Sequence, residues 1–243
     1  MAYKRGLKPI LPGRLRPKLS RYFHPLGPQL PTPPTVFAHG ANIPDDGWGM
    51  DGNDSVGDCF FAAVVHEDLA TRSDNNMPGD EPLDALELYA GCTGYDPARP
   101  DTDQGTDPIE GFSWLVKQGV ILAWAEIDQP ALILPAMWAF GGLILGCAMP
   151  DDSDDQFEAG GPFAVTPTTR FPAYVDHATY QRAKGRITTW GGDVGMTPEW
   201  EAQGVRNRFV MVLPDLAGSN GLTECGLALD ALVTDCAALA RMV

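Results

Sequence analysis

Cysteine, histidine and basic residues are all scarce in this chain, and each shortage removes a class of function. The five cysteines, Cys59, Cys92, Cys147, Cys225 and Cys236, form no CxxC pair and show no Cys/His ligand spacing. That excludes a structural zinc cluster, and an odd total speaks for reduced thiols rather than a disulfide framework. No apolar leader is visible at the start, where prolines interrupt the basic residues. Lys and Arg number 17 against 32 Asp and Glu, a net charge of −15, so nucleic acid and anionic membranes are not expected as partners. Long apolar runs are missing with one exception: residues 131–149 carry no charge and are just long enough to span a bilayer. Pro135, Gly141, Gly142 and Gly146 interrupt that stretch, which reads as a buried helix to about 140, a glycine stop and a buried strand over 143–148. A calcium loop starting at Asp51 fails because its twelfth position is Ala62 where a bidentate glutamate is needed. Neither a metal nor a cofactor is expected.

The charge that is present is unevenly placed. Residues 1–44 hold seven of the basic residues (Lys4, Arg5, Lys8, Arg14, Arg16, Lys18, Arg21) and no acid, a net +7, which leaves ten bases against all 32 acids, −22, for 45–243. The same 44 residues contain Pro9, Pro12, Pro17, Pro25, Pro28, Pro31, Pro33, Pro34 and Pro44, which forbid a long helix and favour extended chain. The expected organisation is a basic, proline-rich arm (1–44) ahead of one body domain (45–243). Apolar residues make up 44% of the chain, enough for the body to bury a full core. The arm has too few to form its own, so it is expected to lie against something else: a neighbouring copy, or another protein of a larger assembly.

The chemistry-bearing stretch is Asn53-Asp-Ser-Val-Gly57-Asp58-Cys59, followed by the apolar run Phe60 to Val65. It places a cysteine at a helix start, where free N–H groups and the helix dipole favour thiolate. Its expected partner is His177, in a segment that reads as a hairpin: residues 173–182 and 186–190 are rich in Val, Ile, Thr and Tyr, with Ala183-Lys184-Gly185 as the turn. His66 stands two helical turns from Cys59, too far along the axis to serve it, and reads as a packing residue.

These motifs, an amide residue then Asp-Cys at a helix start (Asn53 to Cys59), a strand His-Ala (His177, Ala178) and a Thr-Trp-Gly after a hairpin (Thr189, Trp190, Gly191), resemble the papain-like cysteine peptidase superfamily. The similarity is to its bacteriocin-processing branch and the related proteins of phages and actinobacteria. It extends over roughly residues 45–240 and takes in the turn from Asp103 to Asp107 and the passage from Phe140 to Gly146. The resemblance implies Cys59 as nucleophile, His177 as its base, and an oxyanion hole made by Asn53 and the Cys59 N–H. Three places depart from the family pattern, one being the pair Val175-Asp176 before the histidine, where small glycines are expected in the phage-type proteins. Asn53 is one methylene shorter than the glutamine usual among peptidases, and the third catalytic place, usually Asn or Asp, holds Thr188. Thr188 or Thr189, with Trp190, is left to steady the histidine. Asp176 is expected on the strand face opposite His177 and is not the triad acid.

The expected fold is therefore α+β: a papain-like fold with the cysteine helix in an N-terminal helical part, a C-terminal antiparallel sheet, and the extended arm in front. Helices are expected near 83–89, at 108–117, after Thr197 and from about 223 to 241, with a strand at 208–213. Two functions remain open. One is a cysteine hydrolase acting on a peptide or amide bond. The other is a weakly active or inactive papain-like module serving as a structural protein of a virion or other assembly, gripped through residues 1–44. The resemblance to phage-type members implies a virion protein made in the cytoplasm of a bacterial host, with a plain cytoplasmic protein as the alternative.

Overall fold

Helix α1 (Cys59–Asp74) is apolar on almost every side of its first three turns, and it lies accordingly in the middle of the molecule, buried from Cys59 to Asp68. The computed structural model describes residues 3–23, 32–77, 83–214 and 227–242. Two further helices stand beside α1. Helix α2 (Ala85–Thr93) is capped by the Asp84 carboxylate, which accepts from Glu87 N, and ends at left-handed Gly94. Helix α3 (Pro108–Gln118) has Asp107 as its cap, proline at its first position and left-handed Gly119 at its end.

Against α1 packs a six-stranded, wholly antiparallel sheet in the order β1-β6-β2-β3-β4-β5. Its strands are β1 (Ala123–Glu126), β2 (Leu143–Cys147), β3 (His177–Ala183), β4 (Arg186–Thr189), β5 (Gly192–Gly195) and β6 (Val205–Val212). The central strands β2 and β3 are buried along their whole length, and α1 lies across β3 and β4. Helix α4 (Ile133–Phe140) precedes β2, α5 (Ser153–Glu158) follows it, α6 (Pro198–Gly204) precedes β6, and the C-terminal helix Leu229–Ala240 packs on β1 and α3. The mixed helix and antiparallel-sheet class is as expected from sequence.

The uncharged stretch 131–149 divides as its glycines dictate: α4 stops at left-handed Gly141, and β2 begins two residues later. Gly142 has φ +136, and a Cβ there would stand 2.2 Å from the Tyr180 ring, so only glycine fits. No helix among the described residues is long and apolar enough to cross a membrane. Besides short 3-10 turns, the additions to the expected order are β1, β5 and α5, the last starting within the acidic cluster 151–155. The hairpin strand also begins later than expected, at His177 rather than 173.

The described part of the arm is laid on the body of its own chain. Leu7, Leu19 and Tyr22 are buried in the common core. Backbone bonds tie Glu126 N to Pro17 O (2.8 Å) and Ala228 N to Tyr22 O (2.7 Å). The basic side chains meet acids: Lys4 with Asp103, Arg5 with Asp154 and Asp176, Arg14 with Glu110, Arg16 and Lys18 with Glu126. Residues 1–2 and 24–31 of the arm lie outside the described residues.

Candidate active site

The turn before α1 is built to present Cys59. Val56 N and Ser55 N both bond Gly52 O, and Phe61 N and Ala62 N bond Asp58 O, which opens the helix at Cys59. Beside that turn, the Asp103 carboxylate accepts from Gly57 N at 3.1 Å and from the Tyr89 hydroxyl at 2.7 Å. That clamp fixes the backbone two residues ahead of the thiol to the loop before α3. His66 packs as expected: its Nε2 reaches Gly49 O at 3.1 Å and steadies the start of the same turn.

The sheet supplies the other half. The sulfur of Cys59 accepts a hydrogen bond from Ala178 N at 3.3 Å, so the thiol rests against the first residues of β3. His177, the first residue of that strand, is fully buried, and its Nε2 lies 2.7 Å from Thr189 Oγ1. Its Nδ1 has no hydrogen-bond partner. With the proton assigned to Nε2 and shared with the Thr189 hydroxyl, Nδ1 keeps its lone pair as the free acceptor. The Trp190 ring covers the imidazole at a centroid distance of 5.0 Å. Trp190 adopts φ +48, an unusual backbone for so large a side chain, which places its ring between His177 and the groove.

The hydroxyl that meets His177 is thus that of Thr189 and not that of Thr188. Thr188 pairs with Tyr180, three residues along β3 from His177 and so on the other face of the strand. Its hydroxyl is buried without a partner. Asn53 is buried in the turn ahead of α1 with its Oδ1 unpaired. Asp176 points away from the imidazole, as expected: its Oδ1 accepts from Met149 N at 2.9 Å and its Oδ2 faces Arg5.

The expected shift of the thiol toward thiolate is reversed. Burial pushes Cys59 up to about 12, against hydrogen bonds from Ala178 and Gly6 that favour the anion, while Asp58 and Asp176 add negative charge nearby. A helix terminus contributes at most ~2 kcal/mol, less than the ~4 kcal/mol by which burial separates 9.0 from about 12. Burial likewise holds His177 down to about 3, with the Arg5 charge adding to it. Thiol and imidazole are both neutral in this arrangement. Asp58, directly before Cys59, is raised to about 8 by burial and by the charges of Asp51, Asp103 and Asp54.

Cys92, Cys147 and Cys236 are free thiols. Cys225 lies outside the described residues.

A buried thiol at the start of a central helix, resting on the strand whose first residue is a hydroxyl-anchored, tryptophan-covered histidine, gives this chain the papain-like cysteine peptidase fold. The structure of xylellain, a cysteine protease from Xylella fastidiosa, shares that fold with a TM-score of 0.54 over 88% of this chain and 98% of that one, at 12% sequence identity. No family profile and no curated protein matches the sequence.

Proposed function

We propose that this protein is a cysteine hydrolase that cuts a peptide or amide bond. The observation that carries the reading is the state of His177: one ring nitrogen is anchored to Thr189, the other is buried and unpaired, and the next amide along the strand meets the nucleophile's sulfur. A buried imidazole nitrogen without a partner costs stability and is retained where it has a task. In the reaction, the Cys59 S–H passes its proton to Nδ1 and the sulfur bonds to the substrate carbonyl carbon. The Asn53 amide and the Cys59 N–H stabilise the oxygen's new charge. The imidazolium returns its proton to the leaving nitrogen as the C–N bond breaks, giving a thioester. Water, deprotonated by His177, then releases the acid and restores the thiol.

Labelling with iodoacetamide, resolved cysteine by cysteine, tests the assignment. Cys59 is expected to react faster than the other thiols once the cleft is open, and His177→Ala is expected to slow it by about tenfold or more. Uniform, slow reaction of all the thiols in a protein with its cleft open would sink the reading.

A second reading is favoured by the third position: a hydroxyl orients an imidazole but supplies no charge to stabilise an imidazolium. On that reading the papain-like body is a module of a virion or other assembly, weakly active or inactive, and the basic arm, which lies on its own body within one molecule, grips a neighbouring protein or a further copy of the chain by exchanging those contacts. Support comes from the charge division between arm and body. A virion protein made in a bacterial cytoplasm, or a protein that stays there, is the setting in which it applies. Deleting residues 1–40, in a protein whose remaining body still melts cooperatively, is then expected to abolish incorporation into the larger particle, and unchanged incorporation counts against it.

A further inference from the structure

Residues 3–8 run through the groove between the helical half and the sheet, directly over the thiol. On the helical side, Lys4 N bonds Asp54 O (3.2 Å), Thr106 N bonds Gly6 O (2.7 Å) and Lys8 N bonds Thr106 O (2.8 Å). On the sheet side, Leu7 N bonds the backbone oxygen of Asp176, the residue before His177, at 3.0 Å. The Gly6 backbone is close enough to Cys59 to favour its thiolate, and its Cα packs against the Gly57 backbone two residues before the thiol. The segment therefore uses both walls of the cleft as an extended peptide ligand does, pairing with Thr106 as a bridged strand.

Two contacts are selective. A Cβ on Gly6 would stand 2.1 Å from Gly57 O, and a Cβ on Gly105 would stand 2.1 Å from Gly6 O, so the position over the sulfur admits glycine alone. The Arg5 guanidinium enters a pocket with four acceptors: Met149 O (2.8 Å), Pro150 O (3.3 Å), Asp154 Oδ1 (3.1 Å) and Asp176 Oδ2 (3.5 Å). Lysine, with one compact ammonium, cannot span them as the planar fork does. Beyond it, the Tyr3 ring stacks on Trp190 at 4.6 Å.

The seated segment is not poised for cleavage. The Gly6 carbonyl oxygen is taken by Thr106 N and so is not presented to the oxyanion site.

We propose that the cleft is a receptor for an extended peptide carrying arginine followed by glycine, and that the chain's own residues 3–8 occupy it in cis and must leave before Cys59 can act on anything else. The proposal deepens the hydrolase reading and rests on it for the role of Cys59. It assigns Asp154 and Asp176 as the groups that select arginine, and Gly57 and Gly105 as those that select glycine.

The full-length protein tests it through Cys59 labelling by iodoacetamide. Gly6→Val and, independently, Arg5→Glu are each expected to speed labelling about tenfold or more, because reaction follows the fraction of molecules with the segment out of the groove. A synthetic peptide of residues 3–8 is expected to restore protection to both variants. The same peptide with valine for glycine, or glutamate for arginine, is expected to give none. Wild-type labelling rates in variants that melt cooperatively near the wild-type temperature would overturn the proposal, and so would equal protection by all three peptides. The hydrolase reading fails separately: if adding His177→Ala to Gly6→Val leaves fast labelling unchanged, the thiol is exposed but not activated, while occupation in cis stands.

Discussion

At the scale of single residues, the distinction between Thr188 and Thr189 carries the most consequence. Adjacent strand residues point to opposite faces, so only a known pairing decides which hydroxyl meets His177. The register of β3 with β4 decides it for Thr189. Thr189→Val leaves a buried imidazole nitrogen unpaired and is expected to lower stability by ~1–3 kcal/mol and to slow Cys59 labelling in an opened cleft. Thr189→Ser, which keeps the hydroxyl, is expected to recover most of that rate. Thr188→Val replaces a hydroxyl that already lacks a partner, so urea unfolding is expected to show no loss, or a gain. A large loss at Thr188 with none at Thr189 would reverse the assignment.

At the scale of elements, what could be read from sequence depended on how locally each element is specified. Helix α3 was legible because its cap, its proline and its terminal glycine sit within the segment itself. So was the division of 131–149, which two glycines enforce. Strand β1 is four residues, Ala-Trp-Ala-Glu, too short for alternation to speak, and β5 is Gly-Asp-Val-Gly, whose composition is that of a turn. Both become strands because a neighbour's backbone is there to pair with. Cys59 and His177 were legible through their motifs. The clamp of Asp103 on Gly57 was not, since it joins residues 46 apart with no pattern to announce it.

The arm shows the same limit. Its composition reads as chain without a core, yet one of its leucines is fully buried. Leu19→Ala removes a side chain with no exposure and is expected to cost ~2–4 kcal/mol in urea unfolding. Leu15→Ala, at 62% exposed, is expected to stay within ~0.5 kcal/mol. Equal, small effects at both positions would mean that the arm does not belong to the cooperative unit.

At the scale of the whole molecule, the buried groups around the thiol set how stability follows pH. Asp58 is held at about 8, so between 3.8 and 8 the folded state keeps a proton that the unfolded chain has released. Stability then falls as pH rises through that window. Glu67, raised by its burial in α1, acts in the same direction. His177 opposes them: from 6.5 down to about 3 the unfolded imidazole takes up a proton that the buried one refuses, so stability falls as pH drops. Below 6.5 the contributions offset each other, and above it the carboxyls are unopposed. The melting temperature is expected to decline from pH 6.5 to 8, and Asp58→Asn is expected to flatten the decline. An unchanged slope in that variant would remove Asp58 as its cause.

The stack of Tyr3 on Trp190 gives the protein a built-in optical gauge. Trp190 is one of six tryptophans, but its indole is the one on which the Tyr3 ring stacks. When that phenol ring lifts away, the indole meets water and its emission shifts to longer wavelength, so the opening of the cleft becomes visible in real time by stopped-flow fluorescence, without a label, a substrate or a turnover.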